Sequence, residues 1–360
     1  MSRSTASKRP RSGLRFVVSL VVAVVIGAFF FVLAVRTVSV DAVWDYLGEA
    51  DWWQIGWGAV VFVGIYTICH LARVIRWYFL VRPLGEVDPA TVHRVCAVGF
   101  TAILLLPLRL GELVRPVLLA GTSRLPTAGV LATVVVERII DGLIITGLLF
   151  VGLWTYRGDA SLELARAVGT IAAAIFVPAL VMCVIAYRNR RLARRMVMAT
   201  LGRIWEGAGE RVATMLEQFA AGFGAMSRRE DLVPFLGGTA VYWTANVISM
   251  WLLMRIGFGL DVAPWEAVTV MAVLVVGIMV PAGPAMAGNF EYFMAQGMAL
   301  FVPIGDPTIE GQIGVFTALV HLLQIAVIVA PGVWIMVRHR TLRINRGTLE
   351  ASDAMREAEG

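Results

Sequence analysis

Long apolar runs alternate with short polar connectors along the whole chain. The runs Leu14–Val35, Ile55–Leu80, Val130–Tyr156, Val168–Tyr187, Leu232–Ile256 and Ile313–Val337 all have the ~18–20 residues that a helix needs to cross a hydrocarbon core. Two further apolar stretches are interrupted. Val95–Leu106 is too short to cross and leads into Leu105–Leu119, LLPLRLGELVRPVLL, broken by Pro107, Gly111 and Pro116. Ala267–Val280 runs into PAGPAMAGNFEYF, and Met294–Phe301 completes that unit. Pro and Gly inside such segments predict broken or re-entrant hairpins, whose freed backbone groups line a cavity or are buried in protein. The fold class expected is an all-α polytopic membrane protein of about six full spans plus two broken hairpins.

Composition supports this: 59 % of the 360 residues are hydrophobic and 16 % charged, well under the quarter usual for a soluble domain. Residues 1–13 are polar and basic and predict a disordered cytoplasmic N-terminus. Residues 14–338 form the transmembrane domain, and 339–360 a cytoplasmic tail. Between 190 and 230 the pattern changes. Leu192, Met196, Ile204, Val212, Met215, Phe219 and Phe223 recur mostly every three or four positions, which predicts an amphipathic cytoplasmic segment with Gly207 and Gly209 as its hinge.

The charge of +6 comes almost wholly from arginine, Lys8 being the single lysine. Arginines concentrate near 73–94, 188–229 and 338–346, whereas the connector at 41–51 is acidic. The positive-inside rule then puts both termini in the cytoplasm and the connectors at 41–51, 157–166 and 257–264 outside the cell membrane. On that path the second helix, first hairpin and third helix run opposite to the fifth helix, second hairpin and last helix. This is the layout of an inverted repeat with a site at its interface. Pro107 and Gly111 are echoed by Pro284 and Gly288 at the same offset.

Several charges fall deep in apolar sequence. Arg109, Glu112 and Arg115, spaced by three, share one helix face. VVVERIIDGL supplies Glu137, Arg138 and Asp141; Arg73 and Arg76 lie near the end of the second helix, and Glu291 in the second hairpin. A charge at the bilayer centre costs about 2.5–3.5 kcal/mol on insertion scales, so each needs partners or water. Two readings follow. The charges form a neutral buried salt-bridge cluster that braces a hairpin against the third helix, or some arginines grip a lipid phosphate while the carboxylates orient them. His70 and His321 read as hydrogen-bonded core residues rather than proton relays, and Cys69, Cys96 and Cys183 as small core residues. The chain has no Walker loop, His-Glu-x-x-His, clustered Cys/His or Gly-x-Ser-x-Gly. No cofactor, metal or nucleic-acid partner is therefore expected, and ATP hydrolysis, zinc chemistry and a serine nucleophile are disfavoured.

Three motifs together carry a resemblance: Pro107, Arg109, Gly111, Glu112 and Arg115; Glu137, Arg138 and Asp141; and Pro284, Gly288 and Glu291. In these the chain resembles the lysylphosphatidylglycerol synthase transmembrane-region family of flippase-like integral membrane proteins, over roughly residues 14–338. It departs from the family at Ala285 and Met286, where glycines are usual, so a turn needing positive φ is expected to be less secure there. The resemblance implies translocation of an anionic phospholipid or polyprenyl-phosphate-linked lipid across the cytoplasmic membrane, by a transporter rather than an enzyme. The aminoacyl transferase domain of larger members is not expected in a chain of this length. Two alternatives stay open. One is a membrane-embedded glycosyltransferase with a lipid-phosphate donor, using Asp41 or Asp45 as base or metal ligand. The other is a scaffold or regulator of cell-envelope biosynthesis that docks such enzymes through 190–230; a second copy of the chain is a further partner to consider.

Overall fold

The computed structural model describes residues 12–106, 111–156, 163–207, 229–280, 283–303 and 305–339, with parts of 209–217. Pro107 and Arg109 of the first motif lie outside the described residues. Among the described residues all regular structure is helical: α1 (Ser12–Thr37), α2 (Val40–Glu49), α3 (Trp52–Val81), α4 (Pro89–Leu105), α5 (Gly111–Thr122), α6 (Thr127–Thr155), α7 (Glu163–Arg188), α8 (Arg190–Ile204), α9 (Arg229–Leu252), α10 (Pro264–Gly277), α11 (Asn289–Met298) and α12 (Pro307–Arg338).

The helix starts follow local chemistry. Asp51, Asp88 and Asp306 cap α3, α4 and α12 by accepting hydrogen bonds from the first free amides. Pro89 and Pro307 then occupy the first helical position, where the missing N–H costs nothing. At α10 the Glu266 carboxylate accepts from the Ala263 amide at 2.9 Å. The acidic connector expected at 41–51 is in fact a short helix, α2, capped by Ser39. Its Val43, Tyr46 and Leu47 are partly buried against the core, while Asp41 and Asp45 face outward. Alternation of apolar and polar positions at helical spacing, in a stretch of ten residues, was masked by its net charge.

Four helices among the described residues are long and apolar enough to cross a membrane: Leu20–Thr37, Trp52–Leu84, Ala165–Arg188 and Pro307–Arg338. Their outward faces carry exposed Val25, Phe29, Ile171, Leu322 and Val337, an arrangement that suits hydrocarbon. Of the six spans expected, the other two coincide with α6, 29 residues long but interrupted by Glu137, Arg138 and Asp141, and α9, 24 residues long. Each broken stretch forms two short helices packed side by side, α4 with α5 and α10 with α11. Gly111 opens α5 against the backbone of Ala102 and Ile103, where a Cβ would lie well inside contact distance. That close approach is what the glycine permits.

The helix contacts obey a regular pattern. Helix α3 packs on α9; α4 on α12 and α6 on α10; α5 on α6 and α11 on α12; α3 on α4 and α9 on α10. Exchanging α3–α6 for α9–α12 maps these pairs onto one another, whereas the contacts of α3 with α12 and with α6 have no counterpart of like extent. The seam between α3 and α9 is lined by small residues. A Cβ on Gly58 would come within 2.7 Å of Gly257, and one on Gly238 within 3.0 Å of Arg76 Cβ. Gly257 closes a π-helical turn, Leu253–Gly257, at the end of α9. In the 190–230 segment, α8 ends at Trp205 (φ −151°, ψ 96°) rather than at the glycines. Arg194 pairs with Glu210 at 2.6 Å and Glu217 at 3.3 Å, so the chain doubles back over α8.

Candidate functional site

The deep charges of the first half converge. Arg76, from α3, donates from Nη1 to Asp141 Oδ1 at 2.6 Å, and from Nη2 to Asp141 Oδ2 at 2.7 Å and Glu137 Oε1 at 2.8 Å. Arg115, from α5, donates from Nη2 to Glu137 Oε2 at 2.5 Å. Arg138 lies 3.4 Å from Glu137 and 3.2 Å from Asp141. Glu137 and Arg76 are wholly buried and Arg115 is 2 % exposed. Aromatic rings complete the enclosure: Arg76 lies 4.3 Å over Tyr242, and Arg115 4.3 Å over Trp77 and 5.1 Å over Phe100. The Trp77 indole donates in turn to Thr133 Oγ1 at 3.1 Å.

The geometry sorts the arginines. Arg76 and Arg115 point at carboxylates inside protein, as a brace between α3, α5 and α6 would require. Arg73 and Arg138 instead line a central cavity of about 130 Å³, together with Glu112, Asp141, Asn246 and Gln324. Arg73 stacks over Phe100 with its Cζ 3.9 Å from the ring centre. It makes no ion pair with a carboxylate among the described residues. Cation–π contact holds a guanidinium in place while leaving its N–H fork free to meet an anion.

The cavity is closed on the other side by the second hairpin and α12: Ala285, Met286, Phe290 and His321 line it. Here the turn does what its sequence disfavours. Ala285 and Met286 both take left-handed conformations, φ 55° and φ 59°, although such conformations cost an L-residue about 1–2 kcal/mol. Side chains hold the turn. Asn289 Nδ2 donates to Val280 O at 2.9 Å, and Glu291 Oε2 accepts from the Gly288 amide at 2.6 Å. His321 reaches across from α12, with Nδ1 2.6 Å from Glu291 Oε1 and Nε2 2.7 Å from Ala285 O. Its ring stacks on Phe290 at 4.1 Å.

Of the residues singled out from sequence, Arg73, Arg76, Glu112, Arg115, Glu137, Arg138 and Asp141 thus gather on one side of the cavity, and Glu291 reaches its other side through His321. Arg109 lies outside the described residues. Sequence reasoning missed the roles of Phe100, Tyr242 and His321. Only the pairing of His321 with a deep acid could have flagged it, and that needs the fold. His70 packs edge-on against Phe100 at 5.5 Å, as a core histidine would. Among the described residues no group of three His, Cys, Asp or Glu side chains is placed to hold a metal ion.

Fold and site together define a helical membrane protein with two broken hairpins facing a charged central cavity. The chain belongs to the family described as the lysylphosphatidylglycerol synthase transmembrane region, whose sequence pattern matches residues 18–332. It is also 26 % identical over 356 residues to Glycosyltransferase AglD of Haloferax volcanii, a match covering 91 % of this chain and 55 % of that protein. The chain therefore spans about half the length of that curated relative. No solved structure matches it.

Proposed function

We propose that the protein moves an anionic lipid, a phospholipid or a polyprenyl-phosphate-linked lipid, between the leaflets of the cell membrane, its head group passing through the central cavity. The observation that carries this reading is Arg73 on the cavity wall, stacked on Phe100 and paired with no carboxylate among the described residues, next to Arg138, whose guanidinium is shared with Glu137 and Asp141. On the cavity wall Arg73 and Arg138 stand with Glu112 and Asp141, and the ion-paired layer behind it adds Arg76 and Arg115 against Glu137, so the described cluster as a whole carries one surplus positive charge. The exchangeable contact pattern of α3–α6 and α9–α12 supports an inverted repeat, with the cavity at its interface. Both termini are cytoplasmic on this reading, following the arginine distribution.

The test is purified protein in liposomes with a fluorescent anionic lipid. Arg73→Lys keeps the charge and loses the planar fork, so it should fold normally while lipid movement falls about tenfold, equivalent to ~1.4 kcal/mol. Near-normal movement in a well-folded Arg73→Lys protein would remove Arg73 from the path. A second reading, a membrane-embedded glycosyltransferase, is favoured by the name of the Haloferax relative. It predicts a covalent sugar product when a lipid-phosphate sugar donor and an acceptor are supplied to the same liposomes, whereas a transporter yields none.

A further inference from the structure

Glu291 and His321 sit where two spaces meet. His321 faces the central cavity. Glu291 faces a second, apolar groove of about 230 Å³ between α1, α2, α11 and α12, lined also by Phe31, Val38, Val43 and Thr317. The 2.6 Å contact between the two side chains joins these spaces. Thr317 lies one turn before His321 on α12 and is 4 % exposed. Its hydroxyl is buried and has no hydrogen-bond partner among the described residues.

Both ring nitrogens of His321 face acceptors, a carboxylate oxygen and a backbone carbonyl. A neutral imidazole has one N–H. The arrangement therefore holds one proton more than a neutral histidine and an ionised glutamate carry. That proton sits on the ring, giving imidazolium and carboxylate, or on Glu291, giving a carboxylic acid that donates to Nδ1.

We propose that Glu291 and His321 form a binding site for one proton, and that its occupancy sets the shape of the second hairpin. The inference goes beyond lipid movement and rests on that reading only for its use in transport. With the proton bound, the pair is neutral and His321 ties α12 to the hairpin at two points, Glu291 and Ala285 O. When the proton leaves to solvent by way of the Glu291 side chain, which is 25 % exposed, no other covalent bond changes, but a ring lone pair faces either the carboxylate or the carbonyl. One tie is lost, and the left-handed turn at Ala285 and Met286 is free to relax. The elements packed on α11 and α12 carry these other charged groups and histidines: Arg36 on α1; Asp41, Asp45 and Glu49 on α2; His70, Arg73 and Arg76 on α3; His93 and Arg94 on α4; Glu266 on α10; and Glu310 and Arg338 at the ends of α12 itself. None of them is hydrogen-bonded to the pair. Arg73, Glu112, Arg138 and Asp141 face it across the cavity.

The test places a cysteine at Met286 in full-length protein whose three native cysteines have been replaced. Its labelling by a thiol reagent is followed against pH, each rate being divided by the thiolate fraction from that thiol's own spectroscopic titration, with a cysteine at the exposed Trp53 treated in the same way as the reference. The relative rate should rise at least about fivefold as the pair loses its proton; a flat profile overturns the proposal. Glu291→Gln supplies an amide N–H to Nδ1 and has no proton to release, so it should hold labelling slow at every pH. A wild-type rise in that variant would also overturn the proposal. If Glu291→Gln fails to fold, the native-pair profile still decides. Lipid movement is read separately in liposomes, and its absence in every preparation would sink the transport reading, not the proton site.

Discussion

Glu137 is the keystone of the charged cluster, and its replacement by glutamine is the most direct test of that statement. Three guanidiniums converge on its carboxylate, Arg115 at 2.5 Å, Arg76 at 2.8 Å and Arg138 at 3.4 Å, at a site with no solvent exposure. The amide has the same shape, but it leaves three cations against Asp141 alone. It also turns one acceptor into a donor aimed at a guanidinium. Breaking a buried ion pair from one side costs about 3–5 kcal/mol, a large share of a typical stability of about 5–15 kcal/mol. Thermal unfolding in detergent, followed by tryptophan fluorescence, should fall by roughly 5–10 °C on the scaling for large domains. A second substitution sharpens the test. Arg115→Met removes one surplus cation, so the double variant should melt no lower than Glu137→Gln alone, giving a coupling of about 2 kcal/mol between the two sites. A Glu137→Gln protein that melts within about 1 kcal/mol of wild type, or additive losses in the double variant, would refute the brace.

The other predictions are smaller. Gly111→Ala forces a Cβ into the backbone of Ala102 and Ile103, so it should cost about 2–3 kcal/mol in the same melt; a neutral result would mean the arms of the first hairpin are not held together there. Ala285→Gly relieves a left-handed alanine, worth about 1–2 kcal/mol, against roughly 0.5–1 kcal/mol of added chain entropy. A gain of about 0.5 kcal/mol is expected, and a clear loss would show that the turn is not strained. A reporter fused near Gly209 should give a cytoplasmic signal, since α8 and its return segment carry many of the arginines. A signal from the opposite side would reverse the orientation proposed for every helix.

The long apolar runs were legible because a bilayer-length helix needs only length and apolarity, and α1, α3, α7 and α12 appear within a few residues of where the pattern puts them. The broken hairpins were legible from Pro107, Gly111, Pro284 and Gly288 alone. The partners within the charged cluster were only half legible. Glu137, Arg138 and Asp141 announce themselves by spacing on one helix. Arg76, which clamps two of them, comes from 61 and 65 positions away and could not be told from an interfacial arginine. The division between bracing and cavity-facing arginines depends on which way each helix is turned, and periodicity in a helix apolar on all sides does not report that. The turn at Ala285 and Met286 shows the limit from the other side. Local preference argues against positive φ, and the contacts of His321, Asn289 and Glu291 override it.

The seam between α3 and α9 has a mechanical consequence. On the α3 side lies the ion-paired block of α3, α5 and α6, whose buried charges lock those helices together. The seam itself meets backbone to backbone at Gly58 and Gly257, and flat against the stem of Arg76 at Gly238. Away from those glycines the seam is fastened by side chains: Arg76 stacks over Tyr242 at 4.3 Å, and Arg82 pairs with Asp231 at 2.7 Å. The two halves of the bundle are joined, in effect, by a zip, drawn tight by glycine at Gly58 and Gly257 and buttoned by charge and stacking further along.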